Sequence, residues 1–287
     1  MIYAKKNISN VAMCELDCAK CEAFLASKEM NLIKTKAKEI FTKTKLPGCA
    51  WVLNQYVGCE HACNYCYAKF IAKWKPTDYG KWGTWVEAKI NAPELICNRK
   101  VKGDVFMSSI SDPYQPIEKD LKLTRRILEN LDKETNLSIL TKSDLVVRDI
   151  DILKKFKNLA VGLTINSFSG KIKEIFEPNS PSNEKRIEAL QKLKQDSIAT
   201  YAFVSPIIPG LIDLEDIVNK TKSFVDYYWF EFLNLRGAGK EFAEILKKEF
   251  PASYKIVSDS ELYKKFIEQS TKTIKGLGIK VRGIVKH

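Results

Sequence analysis

From Ala50 onward, short apolar runs alternate with amphipathic stretches. The apolar runs are Trp51–Val57, Asp104–Ser109, Leu137–Thr141, Leu159–Ile165, Ile198–Val204 and Tyr227–Leu235. Their length and their β-branched and aromatic content predict strands. Between them, Lys122–Leu131, Ile150–Phe156, Asn183–Gln195 and Leu214–Lys222 repeat apolar positions with helical spacing. Near-continuous apolar strands separated by such helices predict an α/β fold with a parallel sheet covered by helices.

The two ends differ from this middle. Residues 1–46 form an extension whose lysine-rich part, Asn31–Lys45, is predicted helical. After residues 47–236, which carry the alternation, residues 237–287 form a mostly helical C-terminal tail. Its predicted elements are the helices Lys240–Phe250 and Ser260–Ile274 and a short strand, Ile279–Val285. No internal repeat or low-complexity tract interrupts the chain. No secretory signal is expected: Lys5 and Lys6 are not followed by an apolar run. No run reaches the roughly 20 apolar residues of a membrane span. The expectation is a cytoplasmic protein without a membrane partner.

Charge and cysteine content sharpen this. The chain has 287 residues and a formal net charge of +12, a surplus that attracts polyanions. It has eight cysteines, which outside a secreted context point to metal or redox chemistry before disulfides. Three of them, Cys59, Cys63 and Cys66, lie in GCEHACNYCYA with C-x3-C-x2-C spacing directly after the first predicted strand. Three thiolates this close can wrap one side of a cubane 4Fe–4S cluster and leave its fourth iron open. A tetrahedral zinc site is the competing chemistry, with His61 available between the ligands. Cys14, Cys18 and Cys21 repeat the spacing, with Lys20 where the downstream copy has Tyr65 and with no strand before them. They suit a second iron–sulfur cluster or a zinc site, with Cys49 or Cys97 as a further ligand. They also fall on one helical face as small apolar residues.

The downstream motif resembles that of the radical S-adenosylmethionine (SAM) superfamily. The wider likeness is to its spore photoproduct lyase-like branch, described loosely as DNA repair photolyases. It is carried by LNQYVGCEHACNYCYA, VEAKINAPEL, GDVFMSSISDPYQPIE, LTKSDLVVRDIDIL, FEPNSPSNEKRIEALQKL and VSPIIPGL, spread over roughly Leu46 to Arg236. The resemblance implies a partial (β/α)6 barrel with its site at the C-terminal strand ends. It also implies a 4Fe–4S cluster on Cys59, Cys63 and Cys66, with SAM chelated on the open iron and Tyr65 near the adenine. The implied reaction is reductive cleavage of SAM to a 5′-deoxyadenosyl radical that abstracts hydrogen from a substrate. The electron comes from a low-potential donor such as ferredoxin or flavodoxin.

Strand ends supply the remaining candidates. Ser108, Ser109, Ser111 and Asp112 stand where the resemblance places the methionine end of SAM; they also make an ordinary turn before Pro113. Asn166 and Ser167 suit the ribose hydroxyls or a helix cap. Ser109 falls where spore photoproduct lyases carry a hydrogen-donating cysteine, which implies a substrate other than a thymine dimer. Lysines interleaved with Trp74, Tyr79, Trp82 and Trp85 between Lys69 and Lys89 suit nucleic acid or core packing. A basic nucleic-acid-binding protein with structural zinc at the cysteine triplets is the alternative function.

Overall fold

The computed structural model describes residues 30–97 and 99–287, so Cys14, Cys18 and Cys21 lie outside the described residues. The strands are β1 (Asn31–Thr35), β2 (Phe41–Lys43), β3 (Trp51–Leu53), β4 (Tyr56–Val57), β5 (Trp85–Lys89) and β6 (Val105–Met107). They continue with β7 (Leu137–Thr141), β8 (Leu159–Ile165), β9 (Ala199–Ile207), β10 (Tyr227–Phe232) and β11 (Val281–Val285). The main sheet has the order β11-β10-β9-β8-β7-β6-β3-β2. It is parallel from β3 to β11, and β2 is antiparallel at one edge. The six expected strands therefore stand side by side in chain order, as a partial (β/α)6 barrel requires.

Side-chain alternation shows which face is concave. On β10, the Tyr228 hydroxyl lies 2.8 Å from that of Thr221 in helix Leu214–Thr221, and the Phe232 ring is edge-on to Phe266 in helix Ser260–Gly276. Tyr227, Trp229 and Glu231 thus face the lumen. The Tyr201 hydroxyl on β9 reaches two strands away to donate to the Ile139 carbonyl at 3.0 Å. A Cβ built on Gly48, just before β3, would stand 3.8 Å from the Trp229 ring, so the sheet curls until its β3 and β10 sides meet. Gly162 faces Tyr201 in register, and a Cβ there would lie 2.2 Å from the tyrosine ring.

Three expectations change. The stretch Asn31–Lys45 is not helical: Asn31–Thr35 pairs in parallel with β5, and Phe41–Lys43 pairs antiparallel with β3. Ladder pairing and burial of Ile40 and Phe41 outweigh the helical look of its lysines. The predicted strand Trp51–Val57 breaks at Asn54 and Gln55, leaving β3 in the main sheet and β4 in a small sheet of order β1-β5-β4. The Asn54 carboxamide oxygen accepts the Ser109 and Ile110 amides at 2.8 and 3.3 Å, which turns the chain from one sheet to the other. Helices Gly170–Phe176 and Pro251–Ser258 are additions to the expected set.

Gly162→Ala is expected to lower the free energy of unfolding by about 1–3 kcal/mol, the usual cost of overpacking. Urea titration with an unchanged midpoint would show that the Tyr201 ring can move aside freely.

Candidate active site

The cysteine loop hangs between β4 and the 3₁₀ run Tyr67–Trp74. Gly58 opens it with φ +86°, and a Cβ there would be 2.6 Å from the Trp85 carbonyl oxygen, so a glycine is needed. Segments that follow β6 and β8 grip the loop. Gln115 accepts the Glu60 amide at 2.9 Å and donates to the Gly58 carbonyl at 3.3 Å. Asn179 donates to the Glu60 carbonyl at 2.8 Å, and the Phe176 carbonyl accepts the Asn64 amide at 2.9 Å.

Cys59, Cys63 and Cys66 are free thiols; the first two are buried and the third is half-buried. Burial pushes all three thiols upward, Cys63 to about 12, while the Lys142 charge opposes it at Cys63 and Cys66. Ligation to irons would offset the cost of the thiolates. Among the described residues, no three His, Cys, Asp or Glu side chains gather as a single metal ion would need. A cubane takes its thiolates at separate corners. The donor set fits the cluster.

Two buried carboxylates frame the loop. Asp112 Oδ1 accepts the Thr141 hydroxyl at 2.6 Å and the Tyr114 amide at 2.8 Å; Oδ2 accepts the Lys142 amide at 2.8 Å. His61 Nε2 lies 3.3 Å from Oδ2 without hydrogen-bond alignment, so the buried His61 ring packs beside Asp112 and braces the loop. Burial raises the Asp112 carboxyl, but His61 and these donors hold it at about 2. Glu177 accepts the Tyr65 hydroxyl, pairs with Arg186 and accepts the Asn166 amide nitrogen at 2.9 Å. Burial raises it too, and the charges of Arg186 and Lys142 hold it at about 2.

Tyr65 is therefore tethered through its hydroxyl, and its ring meets Phe168 and Phe242 edge-on at 6.2 and 6.1 Å. Lys142 Nζ stands 5.6 Å from that ring's centroid. Burial lowers its pKa, but thiolate and carboxylate charge at Cys63 and Glu177 outweigh that and raise it. An ammonium over an aromatic ring beside the cysteine loop suits a carboxylate ligand.

The remaining expected residues divide. Asn166 uses both ends of its amide inside the protein, since its oxygen accepts the Phe168 amide at 3.1 Å and Asn183 Nδ2 at 2.9 Å. Ser111 donates to the Tyr56 carbonyl at 3.1 Å. Ser109 is held by Asn54, and its carbonyl accepts the Tyr67 hydroxyl. Ser167 accepts the Asp213 amide at 2.9 Å and faces a separate hollow of about 520 Å³ beside Gly210 and Thr273. Of the tryptophans, Trp85 is fully buried and Trp82 packs on it, so neither offers a stacking face. Sequence reasoning placed Lys142 among the strand-end residues and missed Glu177 and Arg186 as site residues. A charged pair inside FEPNSPSNEKRIEAL was the available signal.

Residues 53–221 match the family model described as the Radical SAM superfamily. The chain belongs to the radical SAM superfamily. It is a radical SAM enzyme, and its family implies a 4Fe–4S cluster, SAM and a reductant. An uncharacterized protein of Methanocaldococcus jannaschii is 53% identical over 261 residues, covering 91% of this chain and all of that one. A protein of Pseudomonas phage M6 named Radical SAM Nalpha-GlyT isomerase is 25% identical over 166 residues, 55% of this chain and 33% of the phage protein. The structure of spore photoproduct lyase complexed with dinucleoside spore photoproduct has the same fold at TM-score 0.55. That match has 16% identity and covers 77% of this chain and 67% of the lyase. A cysteine-to-serine mutant of spore photoproduct lyase aligns at TM-score 0.60 with 14% identity, over 88% of this chain and 81% of that one.

Asp112 and Glu177, both near 2 when folded, contribute stability that is complete above the ordinary carboxylate range near 4 and lost as pH falls toward 2. Glu177→Gln is expected to flatten the fall of unfolding free energy between about pH 5 and 2. Urea titrations at several pH values that give the wild-type slope would remove Glu177 from this role.

Proposed function

We propose that this enzyme cleaves SAM at a 4Fe–4S cluster held by Cys59, Cys63 and Cys66 and abstracts hydrogen from a nucleic acid or nucleotide. The observation that carries this is the convergence of three free thiols, a tethered Tyr65 and the Lys142 ammonium on one loop at the strand ends. When bound, the cluster and SAM together supply the electron and the 5′-deoxyadenosyl radical that removes the hydrogen. The chain's own residues bind and orient. Lys142 takes the SAM carboxylate, and Tyr65, fixed by Glu177, offers its ring to the adenine. Asp112 stiffens the turn that carries Ser109 and Ser111, and His61 braces the loop from behind. Ser109 cannot return a hydrogen atom as a thiol does, because its O–H bond is too strong, so the substrate differs from a thymine dimer. The electron donor is of the ferredoxin or flavodoxin class, and a cytoplasmic, low-oxygen setting suits an open iron.

Support for a polyanionic substrate comes from the +12 charge and from the surface after Cys66. Tyr67, Phe70 and Trp74 are 48%, 41% and 75% exposed on one 3₁₀ run, with Lys73 and Lys81 exposed near them in sequence. Exposed rings among cations suit bases and phosphates. The lyase structure is named for a dinucleoside spore photoproduct, which points the same way for that protein.

Anaerobic incubation with dithionite and SAM is expected to release 5′-deoxyadenosine, and Cys63→Ala is expected to abolish that release. Lys142→Met should weaken SAM binding at least tenfold, by loss of a charge-assisted contact of about 1.5–3 kcal/mol. Full-rate cleavage by Cys63→Ala would refute the ligand assignment, and unchanged SAM affinity in Lys142→Met would refute the role of the lysine.

A further inference from the structure

Glu231 is the lumen carboxylate that the proposed cofactor chemistry leaves unused. It lies on the same face of β10 as Tyr227 and Trp229, opposite the faces of Tyr228 and Phe232 that meet the helices. Its Oε2 accepts the Ser205 hydroxyl at 2.6 Å, and Oε1 is 3.3 Å from His287 Nε2. Its side chain is 30% exposed. It stands near the C-terminal end of β10, beside Ser205 near the C-terminal end of β9, and so at the rim where the strands end.

Its partners set it apart. Buried Glu118 and Asp149 share Arg148, and Glu177 has Arg186. Among the described residues no lysine or arginine pairs with Glu231, although the chain carries 47 of them. Its partners are the Ser205 hydroxyl and the part-exposed His287 ring, and each carboxylate oxygen keeps a further lone pair for a ligand in the lumen it shares with aromatic rings.

We propose that Glu231 determines specificity by accepting the exocyclic amino group of a nucleobase: cytosine, adenine or guanine in preference to thymine. This rests on the nucleic-acid reading above. The basic exterior draws phosphates, while a lone inward carboxylate repels them, so the polymer is oriented with its base inward. Cytosine N4, adenine N6 and guanine N2 donate to a carboxylate oxygen. Thymine carries carbonyl oxygens on both sides of its single N–H, and these face the carboxylate unfavourably. The half-exposed Tyr67 ring near the loop offers a stacking face for any base.

The test is fluorescence anisotropy of labelled oligo-dC and oligo-dT of equal length on the anaerobically reconstituted full chain. These two pyrimidines stack alike, so the comparison isolates the amino group. The wild type is expected to bind oligo-dC about 5- to 150-fold more tightly, the range that corresponds to about 1–3 kcal/mol per base contact. Glu231→Gln, whose amide can both donate and accept, should bring the two within about twofold. Melting temperature and iron content establish that the variant is folded and loaded. Wild-type binding without a dC preference overturns the proposal and leaves the nucleic-acid reading standing, as does a preference that survives in Glu231→Gln. Absence of binding to either oligonucleotide overturns both.

Discussion

The site depends on a buried ion pair that ties a loop to a sheet. Glu177 and Arg186 are both fully buried, and neither can remain charged there without the other. Around that pair the structure satisfies each remaining polar group: Arg186 also donates to the Thr164 carbonyl at 3.1 Å and to Ser180 at 2.7 Å. Glu177 in turn holds Tyr65, the residue between Cys63 and Cys66 that carries the ring over which Lys142 stands. The main chain repeats the tie, with the Asn64 amide on the Phe176 carbonyl. The segment that follows β8 thus sets the position of a cysteine loop over a hundred residues away in sequence. A broken pair would loosen the loop that presents the thiols.

The charges are arranged in layers. Outside, the chain is basic, and the 3₁₀ run after the third cysteine exposes rings beside lysines. At the strand ends, every deeply buried carboxylate has a fixed partner and stiffens a turn or a loop. Within the lumen, Tyr201, Tyr227 and Trp229 fill the part toward the strand N-termini, with Gly162 and Gly283 leaving room for their rings. Above them stands the polar pair Ser205 and Glu231, where the lumen lining turns from aromatic to polar. The same division of a packed floor and a chemically active rim is general to barrels whose sites lie at the C-terminal strand ends.

Much of this was legible in the chain itself, and for local reasons. Strand periodicity is a short-range signal, so Leu137–Thr141, Leu159–Ile165 and the helix Asn183–Gln195 stand where they were expected. The cysteine spacing is equally local. What failed depended on distant partners. Asn31–Thr35 looks helical until β5 is placed beside it. Trp82 and Trp85 look like a stacking surface until the small sheet buries them. Asn166 and Ser111, expected beside the cofactor, have hydrogen bonds to Glu177, Asn183 and the Tyr56 carbonyl that the sequence does not show. Glu177 and Arg186 were passed over because a charged residue in sequence gives no sign of whether its neighbours will be water or buried groups.

The central claim is that Cys59, Cys63 and Cys66 alone hold a cubane with one iron left for SAM. The most direct measurement uses the full chain with Cys14, Cys18 and Cys21 replaced by alanine, reconstituted anaerobically, with iron and sulfide determined per chain. Electron paramagnetic resonance of the reduced protein is then recorded with and without SAM. The account predicts a full 4Fe–4S complement on the remaining cysteines and a spectrum that changes when SAM is added. A colourless chain without iron, or a spectrum indifferent to SAM, would contradict it.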